Sequence, residues 1–220
     1  MALSDAESHR RIVELARALD IQQADLADLE ASLASPPRTT EEVGFYVSTK
    51  NTDQENRYRM MVSRLSRAGR LLSEEDKYCH WLLEKFAEHT ELPPAFKDAF
   101  GPLLDPSQGP EDSGAAVADL TAHIRDNYAR GVHALERAFE TQGQRLRTLW
   151  TAGGDTLYFV LVSPDVAEAW TNRVVAATHT GEPLGLRPPA WAAFYGHLGY
   201  AIGLSGDAPE GLQMPAWREG

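Results

Sequence analysis

The chain has 220 residues, 43% of them hydrophobic, and carries 32 acidic against 21 basic side chains, a formal net charge of −11. That is enough apolar material for one ordinary domain or two small ones. The acidic balance argues against general affinity for nucleic acid or an anionic membrane, both of which require phosphates to be neutralised. No apolar run approaches the roughly 18 residues of a membrane span, and MALSDAESHRR lacks the apolar stretch of a secretory leader. With Cys79 as the single cysteine, no internal disulfide can form, and a cytoplasmic setting is expected.

Ser4 and Glu7 stand at capping-box spacing before Ile12, Leu15, Leu19, Leu26, Leu29 and Leu33, a heptad whose one polar member is Gln22. The pattern predicts a helix to about Leu33 whose seam either packs as part of the core or builds a homodimer, unless Asp20 divides it. Ser35-Pro36-Pro37 ends the segment, and Val43 to Ser48 is short and β-branched enough to be a strand, although Thr40-Glu41-Glu42 could equally start a helical turn. Thr52 and Glu55 form a second capping box, ahead of a helical face through Tyr58, Met61, Val62, Leu65 and Leu72 that Gly69 weakens. Ser73 reads as the cap of a further helix, with Glu74, Glu75 and Asp76 at its positive N-terminal dipole and Tyr78, Trp81, Leu82, Phe86 and His89 at helical spacings.

Residues 92–114 are rich in Pro, Gly and Asp and predict a linker or long loop with one helical turn near Phe96 to Phe100. A long helix follows over Ala115 to Thr141, stopped by Gly143. Arg145 to Ser163 is the clearest local signal: two apolar or alternating runs flank a Thr-Ala-Gly-Gly-Asp turn, a β-hairpin, and Ser163-Pro164-Asp165 then opens a helix. Leu157, Phe159 and Leu161 would face one side and Tyr158, Val160 and Val162 the other, so both faces of the sheet need cover. The stretch HTGEPLGLRPP reads as a loop, Ala190 to Leu204 as a buried helix, and the tail as irregular, with Leu212, Met214 and Trp217 available to pin it.

The expected architecture is therefore α+β and mainly helical, a small antiparallel sheet with a central β-hairpin packed against helices. It comprises an N-terminal helical region (1–91), the linker or long loop (92–114) and a helix, hairpin, helix, helix region (115–220) packed with the first as one unit.

No stretch carries a strong catalytic signature. Seven histidines are present, but Cys79-His80 are adjacent and His123 and His133 are too far apart for the i, i+4 pairing of a zinc helix, so no metal or cofactor is expected. Cys79, between Tyr78 and His80-Trp81, reads as a core residue. Gly153-Gly154-Asp155 fits a turn and lacks the Gly-Lys-Ser/Thr of a phosphate loop, and Ser163 lacks the flanking glycines of a nucleophile elbow. Arg57, Arg64 and Arg67 near Tyr58 read as a solvated face, since no RNA-recognition motif accompanies them.

Charge is segregated along the chain. Lys50 to Arg70 holds six basic and two acidic residues, net +4, whereas Leu71 to Ser113 holds ten acidic and three basic, net −7. Either the two segments pack together, or the acidic one, with Glu74, Glu75, Asp76, Glu84 and Glu88, is a surface for a basic protein. The expected function is non-catalytic protein binding, for instance an immunity-type inhibitor of a basic toxin or enzyme. The alternatives are a small hydrolase with a cleft assembled from Asp155, His179 and His197, to which Glu182 and Arg187 lie close in sequence, and a structural homodimer built on the N-terminal seam.

Overall fold

Ser4 starts the first helix as its sequence predicts: in extended backbone, it accepts the Glu7 amide on its hydroxyl at 3.2 Å, and helix α1 runs from Asp5 to Ala18. The computed structural model describes residues 3–21, 26–27, 29–31, 50–76, 82–104, 127, 129–151, 156–189 and 215–218. The long continuous helix does not form, because Asp20 adopts φ 60° and the chain closes a Schellman turn, with Asp20 N–H donating to Arg17 and Ile21 N–H to Ala16. Leu26 and Leu29 then return to the same core as Ile12, Leu15 and Leu19, so these heptad positions are spent within the chain; Leu33 lies outside the described residues.

Helix α2, Asp53–Arg67, is capped by Thr52, whose hydroxyl accepts the Glu55 amide at 3.0 Å and donates to the Ala177 carbonyl at 3.0 Å. Tyr58, Met61, Val62 and Leu65 are fully buried, and Gly69 at φ 64° supplies the same Schellman closure that Asp20 supplies for α1. Tyr58 is thus a core residue and no stacking platform for the arginines beside it. Its hydroxyl donates to Gly185 O at 3.1 Å, and burial pushes its phenol well above the ordinary range.

The next segment corrects the sequence reading. Ser73–Asp76 is not a helix start but strand β1, antiparallel to β3 from Ser73 opposite Phe159 to Asp76 opposite Thr156. The turn at Gly69 delivers Leu72 N–H onto Phe159 O at 2.8 Å, and the pairing that follows outweighs the roughly 0.3–1 kcal/mol available from acidic residues at a helix dipole. Helix α3 begins at Leu82 and ends at His89. Within the expected linker, Pro94–Leu104 is an eleven-residue helix, α4, because proline is accommodated in a first turn and Phe96, Ala99 and Phe100 share its buried face. Helix α5 includes residues 129–140 and closes at Gly143. It crosses close to α4, where a Cβ on Gly131 would stand 2.9 Å from the Ala99 Cβ, so only glycine fits without a shift.

The hairpin forms as expected from β2, Arg145–Trp150, and β3, Thr156–Val162; its Ala152–Asp155 turn lies outside the described residues. Ser163 caps helix α6, Pro164–Trp170, which stops after seven residues as Asn172 turns to φ 63°. The region read as a loop holds β4, Ala176–Ala177, and β5, Pro183–Arg187. Pro183 and Gly185 mask the alternation there, yet Leu184 and Leu186 are fully buried. Val43 to Ser48, Ala190 to Leu204, Leu212 and Met214 lie outside the described residues, while Trp217 does pin the tail, its ring 4.4 Å from the Arg187 guanidinium.

The fold is α+β and mainly helical, with one antiparallel sheet ordered β1-β3-β2-β5-β4. Phe159 meets Phe86 edge-on at 5.5 Å, and Phe86 meets Phe96 and Phe139 in turn, so α3, α4 and α5 cover one face. Tyr158, Val160 and Val162 point the other way into a core shared with α1, α2 and Trp170. Among the described residues no helix is long and apolar enough to cross a membrane.

Asp20 is a poor C-terminal residue twice over, since it takes a left-handed conformation and puts a carboxylate at the negative end of a helix. Asp20→Gly should raise stability by about 1 kcal/mol, or about 2–4 °C in Tm. Urea and thermal denaturation read this directly, and an unchanged or lowered midpoint would contradict it.

Candidate functional site

Strand β1 is the outer strand of the described sheet on its β3 side, and it carries Glu74, Glu75 and Asp76 in succession. Helix α3 lies against it. Glu84 and Glu88 are exposed one turn apart on that helix, and Lys85 Nζ reaches Glu88 at 3.2 Å. With both partners about half exposed, that pair contributes little to stability and leaves the local charge negative. All five acidic residues of the sequence-predicted surface therefore fall on one strand edge and the helix beside it, although the edge was expected to be helical.

At its far end β3 outruns β1. Phe159 O is turned toward β1 to accept from Leu72, so the carbonyl of Leu161, two residues on, points the same way past the last paired residue. That margin opens on a cleft of about 390 Å³ bordered by Leu19, Asp20, Gly69, Arg70, Leu161 and Ser163. Its walls are the C-terminal turns of α1 and α2, the end of β3 and the N-terminal turn of α6. Among the described residues the edge can therefore accept hydrogen bonds from a further extended segment.

The residues of the alternative cleft are only partly brought together. His179 sits in the turn between β4 and β5, its Nδ1 3.7 Å and its amide nitrogen 3.4 Å from Glu55 Oε2. Glu55 is 4% exposed, and its other oxygen accepts from Arg59 Nε and Nη2 at 3.1 and 3.0 Å. Arg59 Nη2 also donates to Thr151 O at 3.2 Å. Glu55 thus ties α2 to the β4–β5 turn, and within that turn Glu182 N–H donates to Thr178 Oγ1 at 3.0 Å. Arg187 is engaged elsewhere, and Asp155 and His197 lie outside the described residues. Glu55 was legible only as a capping residue, although its i, i+4 spacing to Arg59 is an ion-pair signal on a helix.

No protein-family model, curated protein or solved structure matches this chain. Function therefore rests on the chemistry of the site itself. Among the described residues no three His, Cys, Asp or Glu side chains are grouped to hold a metal; Cys79, His80 and His123 lie outside them.

Glu55 accepts two hydrogen bonds from Arg59 and both side chains are buried, so removing the carboxylate breaks a buried ion pair. Glu55→Ala should cost about 3–5 kcal/mol in urea denaturation, whereas Glu55→Leu combined with Arg59→Met should cost distinctly less. Equal losses in the two variants would show that the ion pair does not hold this junction.

Proposed function

We propose that the protein is a non-catalytic binder of a basic protein, of the immunity type in which an acidic chain holds a basic toxin or enzyme. The observation that carries this reading is the acidic margin of the sheet: Glu74, Glu75 and Asp76 on edge strand β1, continued by exposed Glu84 and Glu88 on α3. Such a margin attracts a positively charged partner from beyond contact distance, and the attraction weakens as salt shortens the screening length. It also selects by repulsion. A second copy pairing edge to edge would set like charges opposite one another, whereas a basic extended segment gains backbone bonds and charge complementarity together.

The test is affinity capture of the tagged protein from its own cells at low and high salt, alongside the double variant Glu84→Lys/Glu88→Lys, whose altered side chains are exposed. The expected result is one stoichiometric basic partner at low salt, lost at high salt and bound at least about tenfold more weakly by the variant. Equal retention by variant and native protein, or no partner at either salt, would overturn the reading.

A further inference from the structure

Away from the acidic margin, helix α6 ends among arginines. Arg173 follows the turn at Asn172, Arg187 closes β5, and Arg218 comes from the tail, which runs parallel to the chain at Arg173. The backbone clamps them together: Arg218 N–H donates to Asn172 O at 2.5 Å, and Val174 N–H donates to Arg218 O at 3.1 Å. Three separate segments thus deliver three guanidinium groups to one short stretch of chain.

Among the described residues the groups those arginines meet are all neutral. Arg187 Nη1 donates to Asn172 Oδ1 at 2.8 Å and to Pro215 O at 2.7 Å. Arg218 Nη2 donates to Glu168 O and Thr171 O at 2.9 and 2.7 Å. The Arg187 guanidinium lies over the Trp217 ring and that of Arg173 over Trp170, 4.8 Å from the ring centre. A fourth arginine, Arg147 of β2, donates from Nε to Thr171 Oγ1 at 2.9 Å, so it reaches the same residue as Arg218. Arg147 has Glu136 in its neighbourhood, but Arg173, Arg187 and Arg218 have no carboxylate within ion-pair distance among the described residues.

A buried cation with no counter-charge is costly, and like charges gathered together add to the cost. Arg187 is only 7% exposed, and the Nε atoms of Arg173 and Arg187 are buried without a hydrogen-bond partner. Burial lowers the affinity of the Arg187 guanidinium for its proton, yet arginine remains charged at any physiological pH. Tryptophan faces offset part of this cost but bring no negative charge. In a chain of net charge −11, the concentration of positive charge here is a local arrangement and does not reflect composition.

We infer that Arg173, Arg187 and Arg218 form a binding site for a phosphate group, whose oxygens accept from their remaining guanidinium N–H groups. The fork geometry of arginine suits the oxygens of carboxylate and phosphate alike. Three cations with no carboxylate partner among the described residues, one buried, one half-buried and one exposed, favour the phosphate, which bears close to two negative charges near neutral pH where a carboxylate bears one. The source of the group is either free phosphate or a phosphorylated small molecule.

Isothermal titration with inorganic phosphate, and separately with a nucleoside monophosphate, tests this at constant ionic strength against chloride. Thermal denaturation of the same samples gives an independent readout. The expected result is saturable binding of phosphate with a matching rise in Tm, weakened at least about tenfold in both Arg173→Gln and Arg218→Gln, neither of which removes a fully buried side chain. Tighter binding of the nucleotide would assign the source to a ring-bearing ligand, and equal binding to the phosphate alone. Phosphate also stabilises proteins generally by exclusion from their surface, an effect that does not saturate and that both variants would share. Only that shared, unsaturating rise, or no rise beyond chloride, overturns the site.

Discussion

Strand β3 has to be covered on both faces, and most of the molecule is arranged to do so. Leu157 through Val160 are at most 6% exposed, with Phe159 on one face and Tyr158 and Val160 on the other. A two-stranded hairpin cannot be stable alone in water, so a strand of this composition recruits a helical layer on each side and further strands at its edges. Phe86, Phe96 and Phe139 supply one layer, and α1 with α2 the other. Each fully buried aromatic side chain of this kind is worth several kcal/mol against truncation to alanine.

The same demand explains why an acidic tetrapeptide becomes a strand. β3 has two edges; β2 occupies one, and the chain leaving α2 passes the other directly after Gly69. Ser73–Asp76 pairs there because backbone hydrogen bonds do not depend on side-chain polarity. The proposed function starts from that placement, with the acidic run on the outer strand of the described sheet. The arginine cluster around Asn172 lies beside β5, away from β1 in the strand order of the sheet.

Much of this was legible in the sequence wherever a local device decides the outcome. Ser4, Thr52 and Ser163 cap their helices, Gly143 stops one, and the alternation of Arg145 to Val162 is a hairpin, because capping hydroxyls, glycine and period-2 patterning act within a few residues. The errors share a cause. Ser73–Asp76 and Pro183–Arg187 are strands by virtue of partners far along the chain, and Pro94–Leu104 is helical because Phe96 and Phe100 find Phe86 and Gly131. Local propensity contradicts the two strands and, for Pro94–Leu104, supports only the one turn near Phe96 to Phe100; tertiary contacts decide the rest. Glu74, Glu75, Asp76, Glu84 and Glu88 could be singled out because charge runs are visible in sequence. The gathering of Arg173, Arg187 and Arg218 could not, since it arises only when β5 and the tail meet the end of α6.

The central claim is that β3 is the buried axis of the sheet and that β1 is an open margin beside it. Residue-resolved amide hydrogen exchange on the free protein measures both at once. Amides of Tyr158 to Val160 should be released only by global unfolding, and those β1 amides that do not face β3 should exchange far faster, through local fluctuation. Uniformly slow exchange across Ser73–Asp76, matching that of β2, would mean that the margin is covered, and would contradict the account.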